Sequence, residues 1–593
     1  MSCHHDDSFH ITPVLCFSYP RFCKLALIRL SFFTREAVQR EVPFSEGEMR
    51  NRLVRLVVRG GLPISIVEFP EFRSYSNLLK PGVAIPSRNT VKSDSTKCYR
   101  EKANRIGEQL RNAGSKISVT LDCWTSPNNK AFLGITGHYI DSGWNLRSLV
   151  LDFVPLSGSH TGANLCGAFV GTCERLGILD KLLGVTTDNA SNNGKLLHDL
   201  EYASHKRGIA FDKEQQHVRC LAHIMNLAAQ AFLGSLKADV PSDTTPNNSS
   251  AAKQIGNESC IAKLRHIVRW VQSSPQRSED FENLRDSCNA PQREVIIDTR
   301  TRWNSTYAMI QRACELREPL SHVANMAQEL IELSSEEWVL LEVTAEVLKS
   351  FEKTTRWLSA TVYPTLNRAV QVYNRLLDEL EYFLGQANDE EAGRRKAAII
   401  DRYSPANKHI LKTAMEAAYA KLKEYYEDTE AGMYVISMVL DPGLKMDYFK
   451  ANDWEPEHIA HARDSMQQAI EAYGTAASVA PTPQPTQASS DDEDMADWMT
   501  RQMKRPRLEK QNELERYLAE PTIDAHADIL GWWRGNEYSY PCLARIARDY
   551  LAIPATSVPA ERVFSGGADL VTKKRGSLHE DTIQFFMCLD SWL

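Results

Sequence analysis

Residues 116–126, KISVTLDCWTS, alternate polar and apolar side chains and then place a carboxylate close to a tryptophan. Because successive side chains of a β-strand point to opposite faces, the apolar residues at 117, 119 and 121 would share one face. The polar residues between them and Asp122 would share the other. The stretch therefore predicts a strand that ends with Asp122 on its polar face.

The segments that follow continue as alternating strands and helices. FLGITGHYI (132–140) and RSLVLDFVPL (147–156) are further strand candidates, and the sequence DSGW between them indicates a turn. Residues 160–178 have apolar side chains at helical spacing, 182–193 are a strand that ends in a polar loop, and 217–233 are a strand that runs into a helix. Three antiparallel strands, a helix, a strand and a helix is the order of a ribonuclease-H-like fold, although other α/β arrangements begin in the same way.

The second half of the chain has a different pattern. After a polar loop over residues 236–258, apolar residues recur mostly at helical spacing. Ser334 and Glu337 have the spacing of a capping box at the start of one such helix. Stripes of this kind are ordinarily core faces. We therefore expect an all-α region over 236–474, next to an α/β core over 114–235.

The flanking segments differ in composition from these two regions. Residues 1–40 form an irregular leader whose cysteines and histidines lack zinc-finger spacing, so zinc is not expected. Residues 41–113 have mixed helical character. Residues 475–512 are rich in Pro and Ala and then acidic, which is typical of a disordered linker. Residues 513–593 regain order, with one long apolar helix from Trp532, a Pro-bounded loop, a second helix start and a closing helix.

A short basic cluster, KRPR, follows the acidic part of the linker. Its charged residues are Lys504, Arg505 and Arg507. In a flexible segment such a cluster is typical of a nuclear import signal, which would make the protein nuclear, but such clusters also occur by chance.

Composition excludes some classes of protein. The chain has 593 residues, which favours roughly two to four domains. Its net charge of −7 does not indicate a nucleic-acid binder, although a local basic groove can exist within an acidic whole. No apolar run approaches the ~20 residues that cross a bilayer. The 13 scattered cysteines suit a reducing compartment, so we expect an intracellular protein without a membrane partner.

Two aspartates stand where predicted strands end. Asp122 is followed by CWTS and Asp188 by NASNN. Strand ends can converge at one edge of a sheet, and convergent carboxylates are the ligands that Mg²⁺ or Mn²⁺ requires. Two such ions, ~3.5–4 Å apart, cleave phosphodiesters in many nucleases. From position alone, either aspartate could equally be a solvated turn residue or a helix cap.

Five segments occur in an order that resembles one family. They are LDCWTS, TTDNASNN, RCLAHIMNL, TRWNS and SVPAERVFS. Together they resemble the hAT superfamily of cut-and-paste DNA transposases, from about residue 41 to the C-terminus. The resemblance implies a ribonuclease-H-like catalytic core interrupted by a large helical insertion. It also implies that residues 513–593 complete that core and form a C-terminal helical dimerisation region.

The resemblance assigns roles to the acids. Asp122, Asp188 and Glu561 match the three catalytic and metal-binding positions of a DDE triad, which would hold two Mg²⁺ or Mn²⁺ ions. From its position alone, in the first turn of a predicted helix, Glu561 could simply stabilise that helix through the helix dipole and have no catalytic role.

Other matched positions would support the active site, and each has a simpler alternative. Cys220 and His223 match a Cys-x-x-His element, but they could be a zinc half-site or a hydrogen-bonded histidine on a buried cysteine. Asn189 would support a metal ligand or only help to cap the next helix. Trp124 and Arg562 belong to the motifs around the first and third acids.

Arg302 and Trp303 match an Arg-Trp pair that contacts DNA. The tryptophan would stack on a base turned out of the helix. Without the motif, Trp303 would be interpreted as a core aromatic residue.

The resemblance implies an enzyme that cleaves and transfers DNA strands and that assembles as a homodimer or a larger homo-oligomer. DNA would be the substrate, and no small-molecule substrate is expected. Such proteins usually begin with a BED zinc finger, whose Cys and His pairs we do not find in residues 1–113. The alternative function is therefore that of a domesticated or inactive relative, a dimerising DNA- or chromatin-binding protein. A helical scaffold protein would not explain why the polar motifs occur in family order.

Overall fold

The structure is a computed structural model. The described residues are 44–126, 128–158, 161–236, 259–299, 302–384, 404–430, 432–452, 454–476, 513–570 and 578–593. The predicted leader 1–40, the polar loop from 237 and the linker from 477, with Lys504, Arg505 and Arg507, lie outside them.

The chain divides into two compact units, Met1–Asp94 and Ser95–Leu593. In the described part of the first unit, Ser45 caps helix α1 (Glu46–Arg59) by accepting a hydrogen bond from the backbone N–H of Glu48. Helix α2 (Pro70–Leu79) follows. Helix α3 (Arg88–Asn112) spans the change of unit, so the predicted boundary at 113 corresponds to the end of this helix.

One five-stranded sheet lies in the second unit. Its strands are β1 (Ile117–Thr125), β2 (Ala131–Ile140), β3 (Leu146–Leu156), β4 (Leu182–Thr187) and β5 (His217–Arg219). The order across the sheet is β3-β2-β1-β4-β5. Strands β1, β2 and β3 are antiparallel neighbours, whereas β4 is parallel to β1 and β5 is parallel to β4. All the strands predicted from the sequence are present, in the predicted chain order.

Helices connect the strands, including the two that the periodicity predicted over residues 160–178 and 217–233. They are α4 (Gly162–Leu176), α5 (Ser191–His205), the short α6 (Lys213–Gln216) and α7 (Leu221–Ser235). The DSGW turn is also confirmed, because Oδ1 of Asp141 accepts the backbone N–H groups of Gly143 and Asn145, both at 2.9 Å.

Both faces of β1 are covered, including the face that carries its polar residues. Val119 and Thr120 are both 0% exposed. One face packs on α3, α4 and α5 in an apolar core, and the other faces a second core built by later helices. On that second face the hydroxyls of Thr120 and Thr136 are hydrogen-bonded, and Thr136 is bonded to Nε2 of His138 at 2.9 Å. Paired hydroxyls allow polar side chains to be buried without a large cost.

The rest of the described chain is helical, so the protein is a mixed α/β chain, mostly helical, with one small sheet. The capping box is confirmed: the Ser334 hydroxyl and the Glu337 carboxylate each accept the other's backbone N–H, at 3.2 and 2.9 Å. The helices between β5 and the linker, beyond α7, are α8 (Cys260–Gln272), α9 (Pro275–Ser287), α10 (Trp303–Glu315), α11 (Arg317–Met326), α12 (Ser335–Leu358), α13 (Ala369–Leu384), α14 (Pro405–Glu424), α15 (Gly432–Val439), α16 (Asp447–Ala451) and α17 (Pro456–Ala476).

The C-terminal segment contains α18 (Glu513–Ala519), α19 (Ile529–Asn536), α20 (Pro541–Tyr550), α21 (Val558–Leu570) and α22 (Glu580–Trp592). The prediction of one long helix from Trp532 was wrong, because α19 ends at Asn536 and Pro541 begins a new helix. Proline has no N–H to donate and disfavours a helical residue before it, so the break falls there.

This segment is packed into the second unit. Indole Nε1 of Trp592 in α22 donates to the carbonyl of Val150 in β3 at 2.7 Å. The buried Nζ of Lys445 donates to the carbonyls of Tyr517 and Glu520 at 2.7 and 2.8 Å, and so closes the end of α18. None of the described helices is both long and apolar enough to span a bilayer.

Candidate active site

Asp122 lies in β1 next to the point where β4 ends. Thr120 pairs in parallel with Thr186, so two residues further along both strands Asp122 comes beside Asp188. The strand continues beyond Asp122 instead of ending there as predicted. Oδ1 of Asp122 accepts the backbone N–H of Cys123 at 2.8 Å, which orients the carboxylate.

Asp188 follows β4 in the polar loop that leads to α5. Its Oδ1 accepts the backbone N–H of Ala190 at 3.1 Å and the side-chain amide of Asn193. The same amide donates to the Asp188 carbonyl at 3.1 Å. Because Asn193 belongs to the first turn of α5, the helix holds both the loop and the carboxylate in place.

Glu561 reaches the same edge from the first turn of α21. Three hydrogen bonds join the segment before this helix to the α/β core. The Thr186 hydroxyl donates to the carbonyl of Pro554 at 2.9 Å, and the backbone N–H of Leu221 donates to the carbonyl of Ala555 at 3.0 Å. The backbone N–H of Ser557 donates to Sγ of Cys220 at 3.2 Å.

Electrostatic coupling shows that the three acids lie close together. Burial, then the charges of Glu561 and Asp188, raise the pKa of Asp122 to about 8. Burial also raises the pKa of Glu561; the nearby Arg302 and His223 lower it, and Asp188 raises it. Three carboxylates that repel one another in a partly buried place form a site that a cation would stabilise.

Two further observations concern the fit of divalent cations. Within the described residues, the three acids do not form a group whose oxygens all lie within 4.8 Å of one another. Both side-chain polar atoms of Asn189, next to Asp188, are buried without a hydrogen-bond partner among the described residues. Oxygen donors of this kind are those that Mg²⁺ and Mn²⁺ prefer, so the residues fit such ions.

A close contact between β2 and α21 sets the position of Glu561. Gly134 is the β2 residue paired with Asp122. A Cβ atom added to Gly134 would lie 2.6 Å from the ring of Phe564, which is one helical turn beyond Glu561. The ring of Trp124 stacks on Phe564 with centroids 6.3 Å apart. The missing side chain of Gly134 therefore lets the helix with the third acid approach the strand with the first.

Cys220 and His223 lie at the start of α7, close to Glu561. Cys220 is 0% exposed, and burial raises the pKa of its thiol to about 11. Its sulfur accepts the Ser557 N–H, so it fixes the approach to α21. In the described residues Cys220 and His223 are not part of any group of three metal-binding side chains. Arg562 is directed elsewhere, and its guanidinium donates to the carbonyl of Ser359 at 2.6 Å.

Arg302 and Trp303 are adjacent in sequence but have different environments. Arg302 is exposed at the N-terminus of α10, near enough to lower the pKa of Glu561. Trp303 is 2% exposed and packs edge-on against Phe351, with ring centroids 6.1 Å apart. In this structure it is a core aromatic residue, and stacking on a base would require the ring to leave that core.

Sequence reasoning missed Gly134, Phe564 and Thr186, which bring the C-terminal helix to the sheet. A glycine inside a predicted strand is a known signal of close backbone approach and could have identified Gly134. No local pattern indicates that Phe564 is its partner.

Comparison with known protein families matches three parts of the chain. Residues 513–593 match the hAT family C-terminal dimerisation region. Residues 120–214 match the ZBED1 RNase-like domain and residues 218–347 the ZBED1 RNase-like helical domain. Asp122 and Asp188 therefore lie within the residues that match the RNase-like domain, and Glu561 lies within those that match the C-terminal region.

Curated relatives resemble the chain over most of its length. A putative transcriptional regulator, tpeD, of Talaromyces stipitatus is 30% identical, over 91% of this chain and 61% of the relative. A putative AC transposase of Zea mays is 26% identical, over 90% and 63%. The BED zinc-finger protein DAYSLEEPER of Arabidopsis thaliana is 24% identical, over 93% and 74%. The chain thus spans a little over three fifths of the length of the fungal and maize relatives. The three matched regions and these relatives show that the chain is similar to hAT-family transposases and their BED zinc-finger relatives over most of its length.

Proposed function

We propose that the protein is a hAT-type transposase whose site of Asp122, Asp188 and Glu561 cleaves DNA strands and transfers them to a target. The observation that carries the proposal is the meeting of three mutually repelling carboxylates from three distant segments, one of them in the C-terminal region. The ribonuclease-H-like core would then be interrupted by the helices over 236–474 and completed by residues 513–593.

The three carboxylates would hold two Mg²⁺ or Mn²⁺ ions, which supply an activated water and stabilise the leaving oxygen of a phosphodiester. The chain's own residues prepare the site. Asn193 holds one oxygen of Asp188, so the other can turn toward a ligand. Arg302, exposed beside Glu561, places a positive charge where a DNA phosphate would bind. His223 adds a second basic group near the same carboxylate.

Strand cleavage tests the proposal directly. The full chain would be incubated with Mn²⁺ and DNA that carries candidate element ends, and nicks, hairpins and joined products would be measured. We expect products from the wild type and none from Asp188→Asn. The matched control is Asp199→Asn, a carboxylate in α5 that pairs with Lys195 at the surface. No product from the wild type, or equal product from Asp188→Asn, would refute the enzyme.

We also propose self-association through residues 513–593, as the name of the matched region suggests. These residues include Glu561 and pack on β3, so deleting them would disturb the core as well as the assembly. Point substitution is the cleaner test. Tyr538 is 91% exposed in this region, whereas Val362, outside it, is 80% exposed. We expect Tyr538→Asp, but not Val362→Asp, to weaken the dimer measured by sedimentation; equal masses would argue against Tyr538 at the interface.

A second function is favoured by relatives whose names describe a transcriptional regulator and BED zinc-finger proteins. The protein would then be a domesticated relative that binds DNA or chromatin as a dimer without cutting it. DNA binding that persists in Asp188→Asn, together with no product from the wild type, would select this function over the transposase.

Either function would operate in the nucleus. We propose that Lys504, Arg505 and Arg507 direct import. A fluorescent fusion should lose nuclear accumulation when the three are replaced by alanine, and unchanged accumulation would show that another signal acts.

A further inference from the structure

Outside the acid site, three metal-binding side chains of different chemistry meet in the helical region. Cys288 immediately follows α9, and Glu318 and His322 lie in α11. One ligand atom from each lies within 4.8 Å of the other two. Among the described residues this is the only group of three or more such side chains at that separation.

The positions of Cys288, Glu318 and His322 on the backbone are enough to bring their side chains together. Residues four apart in a helix share one side, so Glu318 and His322 face the end of α9 together. In the described residues, neither has a hydrogen bond or an ion pair of its side chain. Burial and the nearby charge of Glu318 raise the pKa of the Cys288 thiol, which places the carboxylate close to the sulfur.

We propose that Cys288, Glu318 and His322 bind one Zn²⁺ ion. A thiolate, an imidazole and a carboxylate are the three ligand types that zinc takes, and three protein ligands leave a fourth tetrahedral position for water or a further group. A sulfur ligand selects against Mg²⁺ and Mn²⁺, which the all-oxygen acid site suits. The two sites are therefore chemically distinct.

Such an ion would join α9 to α11 on either side of α10 in the chain, the helix that begins at Trp303. It would hold the end of α9 against α11 within the helical region. Zinc was not expected from the sequence because zinc-finger spacing is local, whereas these ligands come from two helices separated by a third.

Zinc binding by the full chain tests the proposal without reference to DNA cleavage. The purified protein would be stripped with a chelator, then titrated with Zn²⁺ against a chromophoric competitor and with Co²⁺ to detect thiolate-to-metal absorption. We expect one equivalent of Zn²⁺ and a cobalt–thiolate band. Replacing a neighbour of a ligand typically costs 10–100-fold in affinity, so Cys288→Ser and His322→Gln should each cost at least about 10-fold.

Controls separate this site from other thiols and from the acids. Cys314→Ser changes another partly buried cysteine of the same helical region and should keep full zinc affinity. Asp188→Asn should also keep it, because Asp188 is not among the three zinc ligands. Because Glu318 and His322 are exposed, His322→Gln should keep the wild-type melting temperature in chelator. A wild type that binds no stoichiometric Zn²⁺, or a Cys288→Ser variant with unchanged affinity and cobalt band, would overturn the proposal.

Discussion

Two carboxylates of the same sheet, Asp152 and Asp122, have opposite electrostatic environments. Asp152 in β3 has a side chain only 3% exposed and is surrounded by donors. Its partners are the Phe153 N–H at 2.8 Å, the Thr172 hydroxyl at 3.0 Å, the Arg175 guanidinium at 2.6 Å and the Gln584 amide at 2.8 Å. Asp122 in β1 has one backbone donor and two repelling carboxylates.

The difference separates an acid that the fold neutralises from one that we propose to be functional. Both positions connect the sheet to the C-terminal segment, Asp152 through Gln584 in α22 and Asp122 through Glu561 in α21. At Asp152 the protein itself neutralises the charge, so the contact stabilises the fold. At Asp122 burial and the neighbouring carboxylates disfavour the charged form, so ionisation of Asp122 lowers the stability of the folded protein.

The largest effect should come from breaking the structural acid. Asp152→Ala would leave Arg175, Thr172 and Gln584 without their shared acceptor and should cost about 3 kcal/mol of unfolding free energy. Denaturant unfolding would measure it. Glu174→Gln, which removes the exposed partner of Arg207, is the control and should cost under about 1 kcal/mol. Equal costs would contradict the structural role of Asp152.

The next effect concerns the contact that places the third acid. Gly134→Ala would force the ring of Phe564 away and should cost about 1–3 kcal/mol, as overpacking does. It should also reduce DNA cleavage, and Phe564→Leu in the same chain should restore part of both. Gly167→Ala, with nothing within 4 Å of its added Cβ, is the matched control and should be neutral or stabilising.

The contact between Gly134 and Phe564 also illustrates which features the sequence could predict and which it could not. Alternation at 116–121, helical periodicity and the Ser334 capping box are local, and they predicted strands and helices correctly. The motifs suggested which acids belong together, but only by resemblance. The bond of Asp152 to Gln584 and the contact of Phe564 with Gly134 join segments more than 400 residues apart, which no local spacing encodes.

A pH-dependent effect should appear at Asp122 in chelator. Its folded pKa of about 8 exceeds the ordinary 3.8. Between these values the folded state holds a proton that the unfolded state has released, so this group's contribution to stability falls as pH rises through the window. Asp122→Asn should therefore be more stable than the wild type by an amount that grows from pH 4 to pH 8. About 1 kcal/mol would raise Tm by roughly 2–4 °C in a domain of 150–250 residues. A difference that is constant with pH would contradict the shift.

The smallest effect is the influence of one acid on another. Glu561→Gln removes the stronger of the two charges that raise the pKa of Asp122, so that pKa should fall below about 8. The stabilisation by Asp122→Asn should then level off at a lower pH in the Glu561→Gln background. Replacing Glu174 by Gln, far from the site, should leave that pH unchanged, and an equal shift with both would disprove coupling.

The most direct test of the account is the response of thermal stability to Mn²⁺. If Asp122, Asp188 and Glu561 form a site that needs external cations, Mn²⁺ should raise the Tm of the wild-type protein above its value in chelator. The rise should be lost in Asp188→Asn and kept in Asp199→Asn. A wild type that does not respond to Mn²⁺, or an Asp188→Asn variant that responds as strongly as the wild type, would contradict the central claim.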